Sequence, residues 1–289
     1  MQLFLQTLVG GIGIGAIYVL VALGFSLVYR TMGLVNFAHG DVLMIGAYIA
    51  ATFFISSQLP FWVAMILAIV VTAVIGLLME RILRPLENKD FDLMLIGTIG
   101  FGIMLEGLAV LIWGATGQSV PSPVGDTPFN VFGIYIKQYE LVVIAVATVA
   151  SVVLWIFLDR TKRGIAMQAV AMDFEEATAL GVNVGRSNAF AFAIGAGLAA
   201  LGGGLAGPIL YVSPTFGASL GIMGFSAAVL GGFGNIKGAI VGGLGFGILH
   251  AFASGLFQGY ADLAAFVAFA IIVVVRPMGI FGESTVNRA

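Results

Sequence analysis

Nine apolar stretches follow one another along this chain of 289 residues, near 3–29, 42–57, 61–79, 93–115, 139–158, 187–207, 219–233, 239–256 and 261–275. A hydrocarbon layer about 30 Å thick needs roughly 20 apolar residues for one helix to cross it, and most of the stretches approach that length. The balance of residues agrees, with 60% hydrophobic and 9% charged and a mean hydropathy of +1.11. Soluble domains carry roughly a quarter charged residues. The sequence therefore predicts an all-α polytopic integral membrane protein, a single transmembrane domain over 1–289. The last three stretches are short and read as broken or re-entrant, which gives about 8–9 transmembrane or partly re-entrant helices. No basic segment precedes the first stretch and no clean small-residue cleavage site follows it, so it reads as a retained helix.

The twelve Lys and Arg residues sort by side. Arg30, Arg81, Arg84, Lys89, Arg160, Lys162, Arg163, Arg186, Lys237, Arg276 and Arg288 fall in connections on one side, and Lys137 falls on the other. Short loops rich in Lys and Arg stay in the cytoplasm. That rule predicts an outside N-terminus, a cytoplasmic C-terminus and a cytoplasmic loop over 159–186, with 116–138 outside.

Several kinds of chemistry have no support. With no cysteine there is no disulfide or thiolate ligand, and His39 and His250 are too few and too far apart to suggest a metal centre. No GxxxxGK[ST] phosphate loop and no HExxH zinc motif occurs. No catalytic residue and no metal ligand is predicted, and energy for active transport would come from another subunit.

Polar residues inside the apolar stretches are the candidates for a path. Glu106 lies near the middle of the fourth stretch, where a charged side chain costs about 2.5–3.5 kcal/mol to insert, so it should not face lipid. It either bonds a neighbouring helix in its protonated form or lines water. His250 reads as an interhelical hydrogen-bond partner. Asn36-Phe37-Ala38-His39-Gly40-Asp41 interrupts two apolar stretches, as a re-entrant elbow or as a cytoplasmic turn with Asp41 near the next helix's N-cap. The 41 glycines include the GxxxG pairs Gly11/Gly15, Gly203/Gly207, Gly217/Gly221, Gly238/Gly242 and Gly243/Gly247. Such pairs suit close helix packing within the chain or a subunit seam. Phe129, Val131, Gly133 and Tyr135 alternate as in a small hairpin.

The polar loop over 159–186 carries helical periodicity. Ala166, Val170, Asp173, Ala177 and Leu180 fall on one face by helical spacing, and Gly181 stops the pattern as a C′ residue would. The sequence thus predicts one amphipathic helix whose small apolar face either fits a partner's groove or lies on the membrane as a connector.

Three separated stretches resemble the permease subunit of branched-chain amino-acid ABC importers. They are GAIYVLVALGFSLVYRTMGLVNFAHGDVLMIGAY with its NFAHG core, ERILRPL leading into IGTIGFGIMLE, and the 163–181 loop together with FSAAVLGGFGNIKGAIVGG and RPMGIFG. The resemblance spans nearly the whole chain and points to the shorter of two permeases. Glu175, Ala177 and Gly181 are similar to the EAA-x-x-x-G motif of bacterial importers, with Glu176 in place of one of its alanines. The resemblance implies an ABC importer permease architecture in the bacterial inner membrane. It further implies a second homologous permease, two cytoplasmic ATPases that bind ATP and Mg, and a soluble substrate-binding protein. Arg163, Asp173, Glu175, Glu176, Ala177, Gly181 and Arg186 then form the ATPase-coupling surface, and Asn36, His39, Tyr48 and Glu106 the translocation path. No cofactor in this chain and no nucleic-acid partner is expected. The competing readings are an importer permease for urea or short-chain amides and a passive small-solute channel.

Overall fold

The computed structural model describes residues 2–86, 91–125, 127–131, 133–257 and 259–282. Its helices are α1 (Gln2–Met32), α2 (His39–Ala51, continued by a π turn over Thr52–Ser56), α3 (Phe61–Leu83), α4 (Phe91–Trp113) and α5 (Gln138–Arg160). There follow α6 (Lys162–Met172), α7 (Phe174–Ala179), α8 (Val184–Ala206), α9 (Phe216–Gly231), α10 (Ile236–Leu256) and α11 (Ala261–Val275). Each apolar stretch of the sequence carries one of these helices, and α6 and α7 occupy the polar loop. Among the described residues seven spans are long and apolar enough to cross a membrane, while α9 and α11 are shorter apolar helices. The hairpin forms as β1 (Phe129–Val131) and β2 (Ile134–Ile136), antiparallel, with Gly133 at φ +82° in its turn.

Helix α1 runs through the middle and packs against α10, α8, α9 and α5. Every residue from Gly15 to Val28 is buried. Lipid is as apolar as these side chains, so close van der Waals contact must hold the helices together. A Cβ added at Gly15 would lie 3.1 Å from the Gly243 oxygen and from Leu244 Cα, and one at Gly247 would lie 2.5 Å from the Gly15 nitrogen. Gly217 and Gly221 of α9 lie against Gly40 of α2, and Gly242 lies against Gly231. These GxxxG pairs are packed within the chain.

The bundle has a polar-loop end, where α1, α3, α5, α9 and α11 finish, and a hairpin end, where α4, α8 and α10 finish. Of the ten described Lys and Arg residues, nine lie at the polar-loop end and Lys137 at the hairpin end. Lys89 and Arg288 fall outside the described residues.

After Met32 the chain turns back into the bundle. Leu34, Asn36 and Ala38 are buried, and the His39 ring occupies the space a side chain on Gly24 would need. Gly24 precedes the end of α1 by eight residues, about 12 Å of helix. Helix α2 therefore starts inside the bundle, and the elbow reading fits where the surface-turn reading does not. Asp41 is not the cap: Ala38 holds that position, without a side-chain hydrogen bond, and Asp41 lies in the first turn.

Gly247→Val should force α10 off α1 and cost about 1–3 kcal/mol as overpacking. Gly10→Ala, where an added methyl meets no atom within 4 Å, should leave stability level or slightly raised. Thermal unfolding in detergent followed by size-exclusion chromatography measures both.

Candidate functional site

The polar loop is built from caps. Thr161 Oγ1 accepts from the Gly164 amide (3.0 Å) and starts α6, and Gln168 Nε2 donates to the Leu158 carbonyl (2.7 Å), tying α6 back to α5. Asp173 adopts an extended backbone, φ −154° and ψ 112°, and its Oδ1 accepts from the Glu176 amide (2.8 Å). Helix α7 ends in a Schellman turn: Val182 N–H reaches the Ala177 carbonyl, Gly181 N–H reaches Thr178, and Gly181 takes φ +83°. Asn183 Oδ1 then accepts from the Arg186 amide (3.0 Å) to start α8.

This corrects the single-helix reading of the loop. Asp173 divides it, because an aspartate at an N-cap satisfies an otherwise orphan amide. The predicted face is exposed only in part, at Asp173 and Leu180. Val170 and Ala177 are buried, while Met172 (79% exposed), Phe174 (53%) and Leu180 (84%) stand outward beside the exposed Glu175 and Glu176. Ala177 is therefore covered, while Gly181 is exposed and shapes the turn. Met172 and Phe174 were the missed signal, since the small residues Val170 and Ala177 pack inward.

Arg163 and Arg186 line one cleft together with Lys162, Leu77 and Phe190. The Arg163 guanidinium lies 4.8 Å over the Phe190 ring. Next to them Glu80, 2% exposed, receives two hydrogen bonds from Arg84 at 2.9 Å, and Arg84 also donates to the Gly185 carbonyl (3.2 Å). Held in place by Glu80, Arg84 fastens the end of α3 to the start of α8 through the Gly185 carbonyl, which gives the ERILRPL stretch a structural role.

The four path candidates fall into two groups. Asn36 and His39 line a crevice between α1, α2, α3 and α8 that is too narrow for a water molecule. Asn36 Oδ1 accepts from the Ala38 amide (3.1 Å) and Thr98 Oγ1 from the Phe37 amide (3.3 Å), so side chains satisfy elbow backbone that no helix serves. His39 Nε2 makes no hydrogen bond. Tyr48 and Glu106 lie instead along the α2–α4 seam. Tyr48 stacks on Trp113 at 4.9 Å, and Trp113 Nε1 donates to Thr52 Oγ1 (2.7 Å). Half-buried Glu106 acts electrostatically on Asp41, whose carboxylate fills the space beside Gly102. Asp41 joins the membrane-depth acids, and neither it nor Glu106 has an ion-pair partner among the described residues.

His250 bridges helices as expected. Its Nδ1 lies 3.0 Å from Tyr18 Oη and its Nε2 lies 2.9 Å from Asp262 Oδ1, which joins α1, α10 and α11. The stretch Gly217-Ala218-Ser219-Leu220-Gly221 has the G-x-S-x-G spacing of a nucleophile elbow, but that motif needs a strand-to-helix turn. Ser219 lies instead in the first turn of α9, and Gly217 and Gly221 are small because Gly40 packs on them.

A bundle of apolar helices with a buried elbow and a capped polar loop at one end defines a polytopic membrane protein of the permease class. The model of the family described as Branched-chain amino acid transport system / permease component matches residues 7–276, and the chain belongs to that family. It is 34% identical to the high-affinity branched-chain amino acid transport system permease protein BraD of Pseudomonas aeruginosa, over 99% of this chain and 98% of that protein. It is 35% identical to the permease protein LivH of the system of the same name in Salmonella typhimurium, over 99% and 97%. The permease protein LivM of that system and organism is 30% identical over 76% of this chain and 57% of its own length. In fold the chain is similar to a chain of PsaBC from Streptococcus pneumoniae in complex with Fab, with a TM-score of 0.51 and 19% identity, covering 94% and 90%.

Glu80→Ala should leave Arg84 without its partner and cost about 2 kcal/mol, the worth of hydrogen bonds to a charged group. A lowered thermal midpoint in detergent, with unchanged membrane insertion, is the expected result.

Proposed function

We propose that this chain is the membrane-spanning permease subunit of an ATP-binding-cassette importer that carries branched-chain amino acids. Family membership supports the class, and the names of the relatives that align over the whole chain support the cargo. LivH and LivM are two permease proteins of one named system in one organism, and both resemble this chain. That supports a second, homologous permease as partner, with substrate passing between the two.

The observation that carries the coupling role is the outward face of α7. Phe174 and Leu180 are exposed outside the spans, flanked by Glu175 and Glu176, on a turn held rigid by Asp173 and Gly181. A short rigid helix with apolar anchors and acidic neighbours suits a groove on an ATPase. Two such ATPases, holding ATP and Mg, would close on nucleotide and move this turn, opening the permease pair to a soluble binding protein. Arg163 and Arg186 flank the surface, and Asp173, Ala177 and Gly181 set its shape. The bias of nine cations to the polar-loop end supports a cytoplasmic placement for that end in the bacterial inner membrane, with the hairpin end outside. For the path we retain Asn36, His39, Tyr48 and Glu106 and add Asp41.

Glu176→Lys keeps the Asp173 cap, which uses the backbone amide of residue 176. Reversing the charge should still lower ATP-driven leucine uptake at least about ten-fold, since like charges facing across an interface cost several kcal/mol. Uptake into cells or proteoliposomes containing the whole transporter, corrected for inserted protein, reads this. Wild-type uptake by the variant would sink the coupling role. Uptake independent of the ATPases would favour a channel, and competition by urea or acetamide but not by valine would overturn the cargo.

A further inference from the structure

A cleft of about 630 Å³ opens at the polar-loop end between α3, α6 and α8. Lys162, Arg163 and Arg186 stand at its rim, while Leu77 and Phe190 form its wall. No carboxylate lines it, and among the described residues none of the three cations has an ion-pair partner. The one nearby arginine with a carboxylate, Arg84, is taken up by Glu80. Three unpaired cations around one opening repel each other until an anion joins them.

The shape of the cleft says which anion. Leu77 lies six residues before the end of α3, and Phe190 lies six residues into α8. Leu77 thus lies about 9 Å of helix below that end, and Phe190 lies four residues, about 6 Å of helix, past Arg186. The headgroup zone on one side of a bilayer is about 5–8 Å thick, so the rim falls at headgroup level and the wall at the start of the acyl chains. Leu77 belongs to the exposed apolar face of α3, beside Val70 and Val74, so the cleft opens sideways toward lipid. Arg163, stacked over Phe190, holds its charge at the border between the polar rim and the apolar wall. Helices α6 and α8 both begin at this rim, and their N-terminal dipoles add to its positive potential.

We propose that this cleft binds one anionic phospholipid, its phosphodiester held by Lys162, Arg163 and Arg186 and one acyl chain laid against Leu77 and Phe190. A free phosphate offers the same charge but makes no use of the apolar wall. The site adjoins the exposed face of α7, whose flanking Arg163 and Arg186 it uses, and does not depend on which substrate the protein carries.

Native mass spectrometry of the delipidated full chain, titrated with phosphatidylglycerol, phosphatidylcholine or inorganic phosphate, tests this. One phosphatidylglycerol should be retained at least about ten-fold more tightly than phosphatidylcholine, each cation contributing roughly five-fold. Millimolar phosphate should not displace it. The triple variant Lys162→Gln, Arg163→Gln, Arg186→Gln should lose that preference while eluting as the same monodisperse species, and Arg163→Lys with Arg186→Lys should keep most of it. Equal retention of the two lipids, or undiminished phosphatidylglycerol binding by the triple variant, would overturn the proposal. Displacement by phosphate would make the cleft a free-anion site, and expulsion of the lipid when ATPase subunits bind would make it a protein interface; either result also overturns it.

Discussion

Backbone contact between α1 and α10 is the interaction on which the rest of this bundle depends. Gly11 and Gly15 meet Gly243, Gly247 and their neighbours with no side chain between them. In lipid there is no hydrophobic gain from bringing two apolar helices together, so their contact must come from approach distance. Once α10 lies that close, α8 and α9 can close around the other sides of α1, and a helix of 31 residues becomes the buried centre of the molecule. The same device lets α2 begin beneath the surface, where Gly40 meets Gly217 and Gly221.

Starting a helix inside the bundle leaves backbone amides and carbonyls that no water can reach. Asn36 and Thr98 take up two of these amides, and Leu34, Asn36, Ala38 and His39 are buried in protein while Phe37 stays exposed. The polar residues deep in the chain follow the same accounting. Tyr18, His250 and Asp262 satisfy one another across three helices, and Glu80 is paired by Arg84. Asp41 and Glu106 depart from the pattern as two acids on facing helices without a described cation, at a seam a partner subunit or substrate could complete.

Much of this was legible beforehand. The nine helices, the sorting of cations to one end, the hairpin at Gly133 and the stop at Gly181 all follow from length, charge and the need for positive φ. The outward face of the loop was legible only in part. Ala166, Val170, Asp173, Ala177 and Leu180 form one stripe by periodicity, yet Val170 and Ala177 pack into the bundle, and Met172 and Phe174 join Leu180 on the outside. Asp173 shows why periodicity fails there: its carboxylate caps a new helix, and that local bond outweighs continuing the old one.

The sequence by itself determined that this chain lives in a membrane, where its apolar helices run and which end collects its positive charge. Those properties are set by hydrocarbon thickness and by the cost of moving cations across it, and both act on each segment separately. Only the tertiary structure decided that Asp41 of α2 lies against Gly102 of α4, that Asn36 completes an elbow within the bundle, and that Arg163 and Arg186 share a cleft with Lys162. Each of those depends on which helix lies beside which. In a chain with 41 glycines, many small-residue faces could meet. The choice among them belongs to the packing of all the helices at once.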